Sequence, residues 1–208
     1  TITIEWEGNQ EGMSYRYAFD DLWEIWDENK STTISNIDEG SHSISIQSKY
    51  PTGDTSEVKT ASFVVDAVQG PSILFHPRKH KAFSGEKIMF EILAEEVVDL
   101  AATSFKLNFN TNLVRIDSIV KGDYIGTNDE SIFYQDIDNI SGSVNVITAL
   151  LGNNAPVFTG TASIAKLYIT VKSNGVNQIA FDGTETFRNL NNEIININSA
   201  IGGIVDQQ

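Results

Sequence analysis

Alternation of apolar and polar residues constrains the fold of this chain more than any other feature of its sequence. In stretches such as 87–93 and 103–109 every second side chain is apolar. Because successive side chains of a β-strand point to opposite faces, this period of two predicts strands. Turn-forming residues such as Ser84-Gly85 and Ser141-Gly142-Ser143 separate them. We therefore predict an all-β protein, in which a helical turn is conceivable only around Asp20 to Trp26.

A break in the strand pattern near residue 70 divides the chain. A strand, Ser62 to Val65, ends before Gly70-Pro71, and a new strand begins at Ile73. A chain of 208 residues is long enough for two β domains. We predict domains at 1–67 and 71–206, joined by a linker so short that their relative freedom is limited.

The acidic composition restricts the partners of the protein. The formal net charge is −14, so the surface repels phosphate backbones and anionic lipids. No apolar run reaches the roughly 20 residues that a membrane-spanning helix requires. We predict no nucleic-acid partner and no membrane insertion. Without cysteine, disulfides and zinc–thiolate sites are excluded. Because Thr1 leads directly into alternation, we expect an internal excerpt of a longer protein.

Candidate catalytic and metal-binding residues are few. Asp136 and Asp138 would share one face of a strand about 7 Å apart, which suits a glycosidase or calcium site as well as solvated carboxylates, the interpretation that we favour. His76 and His80 could share a metal only on a helix, which Pro77 disfavours. No Gly-x-Ser-x-Gly motif offers a nucleophile. We predict no catalytic residue, no metal site and no cofactor, and hence no enzyme.

Two further clusters have alternative interpretations. The basic run 78–81 suits a charged strand edge that resists strand addition, or a contact with acidic residues of the first domain. Trp6, Trp23 and Trp26, with two nearby tyrosines, form either a sugar-stacking platform or part of the structure of the domain, which we favour. The alternation of Trp6, Tyr15 and Tyr17 with polar residues indicates the core, whereas the spacing of Trp23 and Trp26 leaves one of these two free to be exposed.

The first domain carries aromatic residues in a familiar order. Trp6 is followed by Tyr15-Arg16-Tyr17, and the stretch 37–46 then provides a corner before a strand. This pattern resembles bacterial immunoglobulin-like or fibronectin type III-like modules, in which that strand packs on the tryptophan. The resemblance implies an immunoglobulin-like β-sandwich.

The second domain contains a series of strand and turn motifs in a recognisable order: 83–92, 100–116, 121–123, 142–146, 160–169, 178–181 and 192–195. Together these motifs resemble the cohesin domain. The resemblance implies a nine-stranded, flattened jelly roll of two packed sheets that needs no metal of its own. Asn110 stands where the family usually has Asp, and a neutral side chain there can still make an Asx turn.

The resemblance also implies a function. Cohesins bind dockerins, small helical modules that carry the calcium themselves, so we expect a protein-docking role at an extracellular or cell-surface site in a polysaccharide-degrading assembly. The implied dockerin face uses strands at 101–108, 131–135, 143–151 and 162–171. Alternation along two of these strands predicts the partner-binding residues: Ala102, Ser104, Lys106, Asn108, Ile164, Lys166 and Tyr168.

Two other functions stay open. A carbohydrate-binding module would share the jelly roll, but it needs two or three coplanar exposed aromatic rings, and the predicted outward row contains only Tyr168. The second alternative is a passive spacer, in which both domains only extend a cell-surface protein. Ala102 and Ser104 stand where cohesins that bind type I dockerins tend to carry Asn and Asp, so the recognition chemistry is expected to differ.

Overall fold

A computed structural model describes residues 1–126, 131–152 and 157–207. The chain divides into two compact units, Thr1–Ala67 (unit 1) and Val68–Gln208 (unit 2). Both units consist of β-strands, apart from one helical turn, α1 (Asp123–Gly126), which confirms the all-β class. Among the described residues, no helix is long and apolar enough to cross a membrane.

Unit 1 contains six strands in two antiparallel sheets. The strands are β1 (Ile2–Glu5), β2 (Ser14–Phe19), β3 (Leu22–Trp23), β4 (Ser31–Ile34), β5 (Gly40–Lys49) and β6 (Lys59–Val65). β1 pairs with β4 in a two-stranded sheet, and the other four form a sheet in the order β3-β2-β5-β6. The stretch Asp20 to Trp26 therefore holds a turn and a short strand.

The aromatic residues of unit 1 serve both its interior and its surface. Trp6 packs against Tyr15 and Tyr17, with ring centroids 6.3 and 6.0 Å apart. On the other face of β2, the guanidinium of Arg16 lies 4.4 Å from the ring centroid of Trp23, and it also contacts Trp26. Each tryptophan thus has a partner within the unit.

Unit 2 is a sandwich of two sheets. Its strands are β7 (Ser72–His76), β8 (Lys79–Ala82), β9 (Lys87–Leu100), β10 (Ala102–Asn108), β11 (Val114–Lys121), β12 (Ser131–Asp138), β13 (Ser143–Leu150), β14 (Phe158–Val171), β15 (Gly175–Phe181), β16 (Thr186–Arg188), β17 (Ile194–Ile195), β18 (Ser199–Ile201) and β19 (Gly203–Gln207). The front sheet has the order β12-β13-β10-β15-β19-β8; in addition, β16 pairs with β10, and β17 pairs with β16. The back sheet has the order β11-β14-β9-β7-β18.

Alternation explains the core of unit 2. Along the regular parts of β10, β13, β9 and β14, every second residue points between the two sheets, and side chains such as Phe105, Val146, Phe90 and Leu167 are fully or almost fully buried there. Burying an apolar side chain of this size contributes about 1.5–3 kcal/mol. The sequence pattern and the packing therefore specify the same sandwich.

The last strand passes from one sheet to the other at a pair of glycines. β18 pairs with β7 in the back sheet, and β19 pairs with β15 and β8 in the front sheet. A Cβ atom on Gly202 would lie 2.2 Å from the carbonyl oxygen of Ile179, so no larger residue fits the crossing. Because the last strand is divided into β18 and β19, and because β8, β16 and β17 are short additional strands, unit 2 has more than the nine strands that were predicted. The predicted jelly roll of two packed sheets is confirmed.

The basic run 78–81 lies at the edge of the front sheet. β8 pairs in parallel with β19 and is the last strand of that sheet. Lys79 forms an ion pair with Asp206 at 2.6 Å, and Nε2 of His80 lies 2.9 Å from the carbonyl oxygen of Met89. The run thus lies in a charged strand at the edge of a sheet, which agrees with the interpretation of residues 78–81 as a charged strand edge.

Candidate binding face

β10 presents four of the predicted contact residues on the outer side of the front sheet. Thr103, Phe105 and Leu107 point into the sandwich and are buried. The residues that alternate with them point outward, as predicted: Ala102, Ser104, Lys106 and Asn108.

β13 lies between β12 and β10 and aligns their outward residues in rows. From one end of the strands to the other, the rows are Ile132–Ala149–Ala102, Tyr134–Ile147–Ser104, Asp136–Asn145–Lys106 and Asp138–Ser143–Asn108. Directly opposite side chains in an antiparallel sheet lie about 4.5–5.5 Å apart at Cβ, so each row is continuous. We call this surface of four rows the front face.

One half of the front face is apolar. Ile132, Tyr134 and Ile147 are each about half exposed, at 45%, 53% and 46%. Tyr134 and Ile147 lie directly opposite each other, and Ile132 is the next outward residue on the strand of Tyr134. Adjacent exposed side chains of this size are typical of an interface, because a partner would remove them from water.

The other half of the front face is polar. Asp138 accepts hydrogen bonds from the Ser141 hydroxyl at 2.7 Å and from the backbone N–H groups of Ser141 and Ile140. These bonds, the one from the Ser141 hydroxyl above all, lower the pKa of Asp138, which therefore serves the turn after β12. Within the described part of the chain, Asp136 and Lys106 make no ion pair, so their charges face solvent.

The prediction for Ile164 is wrong. Its side chain is fully buried in the core of unit 2 instead of pointing outward. The cause is a β-bulge in β14, where Ser163 pairs with Leu93 and Ala165 pairs with Ile92, which leaves Ile164 without a partner of its own. A bulge breaks the alternation, so Ile164 and Ala165 both point inward.

The predicted location of Lys166 and Tyr168 is also wrong. Both point outward, but β14 is hydrogen-bonded to β9 and β11 in the back sheet, not to the strands of the front sheet. They therefore lie on the opposite outer surface of the sandwich from Ala102 and Ser104. The seven predicted residues do not form one patch.

Lys166 is paired within the molecule. Its Nζ atom lies 2.6 Å from Asp123 and 3.4 Å from Glu91. The hydrogen bond to Asp123, followed by that to Glu91, raises the pKa of Lys166. Asp123 is the first residue of α1, and the following residue, Tyr124, anchors this turn by packing on Phe158, with ring centroids 4.6 Å apart. Burial raises the pKa of Tyr124 to about 12.

The central side chains of the front face were absent from the sequence-based prediction. Tyr134 and Ile147 lie on strands that were assigned to the face, but only β10 and β14 were sorted into inward and outward residues. The signal was present in the alternation of Ile132, Tyr134 and Asp136 with the partly buried Phe133 and Ile137.

The acidic and histidine residues show no metal-binding geometry. Within residues 1–126, 131–152 and 157–207, no group of three or more His, Asp or Glu side chains could hold a metal ion. His76 lies at the end of β7, and His80 points its Nε2 at a backbone carbonyl. A sheet face with adjacent exposed apolar and charged side chains is typical of a protein–protein interface.

Comparison with known proteins specifies which module this is. The sequence model of the cohesin domain matches residues 77–205. The chain therefore belongs to the cohesin family. Cohesin domains are non-catalytic modules that bind other proteins. No curated protein sequence matches the chain.

Solved structures show the same fold for unit 2. A non-cellulosomal cohesin of the archaeon Archaeoglobus fulgidus is 13% identical, with 66% of this chain and 90% of that one covered and a TM-score of 0.54. A type II cohesin of the Acetivibrio cellulolyticus cellulosome is 15% identical, with 65% and 94% covered and a TM-score of 0.58. The OlpA cohesin of Clostridium thermocellum, in a type I complex with the Doc918 dockerin, is 17% identical, with 66% and 98% covered and a TM-score of 0.56.

Proposed function

We propose that unit 2 is an extracellular docking module that binds a dockerin-type protein through the front face and performs no catalysis. The observation that carries this proposal is the pair formed by Tyr134 and Ile147. These two exposed apolar side chains lie directly opposite each other on β12 and β13, in the second of the four rows of the front face.

The order of the strands supports the choice of surface. The resemblance to cohesins implied a dockerin face built from four strands, and three of them, β12, β13 and β10, are neighbours in the front sheet. Of the predicted contact residues, we retain those on β10 and add Ile132, Tyr134 and Ile147. The residues of β14 are not part of the proposed site.

The chemistry of the face supports a protein partner. Covering the apolar half of the face with a partner removes apolar surface from water, which favours binding, and the polar half can fix the partner's orientation. The OlpA cohesin, which shares the fold, forms a complex with a dockerin. We extend the dockerin class to this chain, with the calcium carried by the partner, and we place the pair in a polysaccharide-degrading assembly at the cell surface or outside the cell.

Carbohydrate binding is not part of the proposal. Such a site needs several coplanar exposed aromatic rings, and Tyr134 is the only aromatic side chain in the four rows of the front face. In unit 1, the rings of Trp23 and Trp26 both contact the guanidinium of Arg16, at 4.4 and 4.8 Å from the ring centroids.

For unit 1 we propose an immunoglobulin-like or fibronectin type III-like domain within 1–67, followed by the docking domain within 71–206. Its two antiparallel sheets and the contact of Trp6 with Tyr15 and Tyr17 support this assignment.

The proposal is tested by affinity capture with the whole chain as bait and the secreted proteins of the source organism as prey. We expect a dockerin-bearing protein to bind in the presence of calcium and to be released by a chelator. Loss of binding should follow Ile147→Asp, which introduces a charge into the apolar half of the face. The expected weakening is about 30-fold or more, the size of a hot-spot effect of about 2 kcal/mol.

Tyr168→Asp on the back sheet is the matched control and should leave the affinity within about twofold, because the side chain lies on the opposite surface. Capture that persists in chelator, or that survives Ile147→Asp but not Tyr168→Asp, would contradict the proposal.

A further inference from the structure

β6 forms one edge of the four-stranded sheet of unit 1. It pairs with β5 from Lys59 opposite Ile46 to Val65 opposite Gly40, and none of the described strands pairs with its other edge. Residues 59–62 and 64 are exposed. The second edge of β6 is therefore open along the whole strand.

β6 lacks the charges that protect the other edge strands. Edge strands usually carry charged residues or proline, because these resist the addition of a further strand. The edge strands β8, β11 and β12 each contain at least two charged residues. The sequence of β6, KTASFVV, contains no proline, and its only charged residue is Lys59 at the first position. The open edge of β6 is thus suited to receiving another strand.

The hydrogen bonds of β5 show which groups of β6 point to the open edge. The carbonyl oxygen of Ser43 accepts the N–H of Asp20, so Ser43 directs its backbone groups towards β2. Because this direction alternates along a strand, Ile44 bonds to β6, where Ala61 lies opposite it. Alternation along β6 then identifies the residues whose N–H and C=O groups point to the open edge as Thr60, Ser62 and Val64.

The side chains of β6 fit a second copy of the same strand. When two copies lie antiparallel with Ser62 at the centre, Thr60 of one copy lies opposite Val64 of the other, a pair of β-branched residues of the kind that favours sheets. The small Ser62 lies opposite itself, so the two hydroxyls can bond. On the other face, the large and half-buried Phe63 lies opposite the small and exposed Ala61.

The charges at the two ends of β6 favour the same arrangement. Lys59 begins the strand, and the exposed Asp66 follows its last residue. In an antiparallel pair, Lys59 of one copy lies beside the end of the other strand, close to its Asp66. A parallel pair would instead bring the two Lys59 side chains together. Opposite charges across a strand pair stabilise it, and like charges destabilise it.

We propose that two copies of this chain associate through β6, with a twofold axis at Ser62, so that their four-stranded sheets join into one continuous sheet. Closed twofold pairs are the commonest form of soluble oligomer. The contact is small, because each copy contributes a strand of 7 residues, whereas a stable interface uses about 20–30 a side. Both copies are also acidic. The dimer is therefore weak and forms as the protein concentration rises.

This association is independent of the docking proposal, because β6 belongs to unit 1 and the front face belongs to unit 2. Failure of one proposal leaves the other intact.

Cysteine cross-linking gives the direct test, because the chain contains no cysteine. In the proposed dimer, the Cα atoms of the two Ser62 residues are about 5.5 Å apart, within the range of a disulfide. The two Val64 residues are about 14 Å apart, which a disulfide cannot span. Under mild oxidation, we expect Ser62→Cys to form a covalent dimer at least about tenfold faster than Val64→Cys. Equal rates, or faster cross-linking of Val64→Cys, would overturn the proposal.

Sedimentation equilibrium of the whole chain measures the association without a covalent bond. We expect the average mass to rise from that of a monomer towards that of a dimer as the concentration increases. Ser62→Lys places two like charges opposite each other and should weaken the association at least about tenfold. Ser41→Lys is the matched control, since it adds the same charge at an exposed position on the same face of β5, and should change the association less than about twofold.

A chain that stays monomeric up to about 1 mM would overturn the proposal. So would a dimer that Ser62→Lys leaves intact, or one that both substitutions weaken equally, because the contact would then lie elsewhere than at the edge of β6.

Discussion

The two outer surfaces of unit 2 differ in whether their charged side chains form ion pairs. On the back sheet, Lys166 is paired with Asp123 and Glu91. On the front face, Lys106 and Asp136 make no ion pair among the described residues. A charge that is already paired within its own molecule gains little from a partner, whereas an unpaired one is free to steer and orient it.

The apolar side chains show the same contrast. On the front face, Tyr134 and Ile147 are directly opposite each other. On the back sheet, the exposed Tyr168 lies opposite Ser118 on one side and the half-buried Met89 on the other, and the exposed Val120 lies opposite Lys166. Exposed apolar residues alone therefore do not identify a binding surface. Their adjacency, together with unpaired charges, distinguishes the front face.

The largest expected effect concerns the position of Ile164 inside the sandwich. Ile164→Asp would bury a carboxylate among apolar side chains, and we expect it to destabilise unit 2 by about 4 kcal/mol or more. The outward Tyr168→Asp should cost about 0.5 kcal/mol. Chemical denaturation followed by circular dichroism measures both. If Tyr168→Asp unfolds the unit and Ile164→Asp does not, the bulge is misplaced and the surface of the back sheet must be redefined.

A matched pair of lysines tests the difference in charge pairing. Lys166→Met removes two ion pairs of the back sheet and should lower the midpoint of unit 2 by about 2 °C, without an effect on partner binding. Lys106→Met removes no ion pair and should leave the midpoint unchanged, while the affinity for the partner falls by about threefold to tenfold. Thermal unfolding and a binding titration on both variants decide the matter. The reverse pattern would assign the docking surface to the back sheet.

The smallest expected effect is the acid sensitivity of the back sheet. The hydrogen bond from Thr170, and then that from Arg115, lower the pKa of Asp117 below 3.8. A pKa that is lower in the folded than in the unfolded state adds stability above the unfolded value, and this stability is lost as the pH falls through the folded value.

We therefore expect Asp117→Asn to lower the midpoint temperature of unit 2 by a degree or so near neutral pH, roughly the effect of a surface pair. The difference from the unsubstituted protein should vanish below the folded pKa. Melting curves from about pH 6 to about pH 2 measure this difference. A difference that stays constant over this range would mean that Asp117 acts through packing instead of charge.

The sequence predicts inward and outward residues well where a strand is regular. On β10, the apolar residues Phe105 and Leu107 alternate with Ser104 and Lys106, and alternation alone assigns all four correctly. On β14, the same reasoning fails at Ile164, because nothing local in the sequence shows that the strand contains a bulge there. Register irregularities arise from how two strands fit together, not from the preferences of one strand.

Sheet membership is the second property that alternation does not encode. Much of β14 alternates as clearly as β10, yet β14 pairs with β9, whose paired residues lie 58 to 83 positions earlier in the chain. Its assignment to the front sheet rested on the family resemblance and was wrong. Tyr134 and Ile147, by contrast, were accessible to simple alternation and were missed only because it was not applied to their strands.

The crossing of the last strand at Gly202 has a consequence for how the protein is made. Ser72 at the start of β7 bonds to Ser199 in β18, a separation of 127 residues, and β19 joins the other sheet a few residues later. Contacts so distant in sequence form slowly, and these require that nearly the whole of unit 2 has been synthesised. Unit 2 therefore cannot close its two sheets while its C-terminal residues are still in the ribosome.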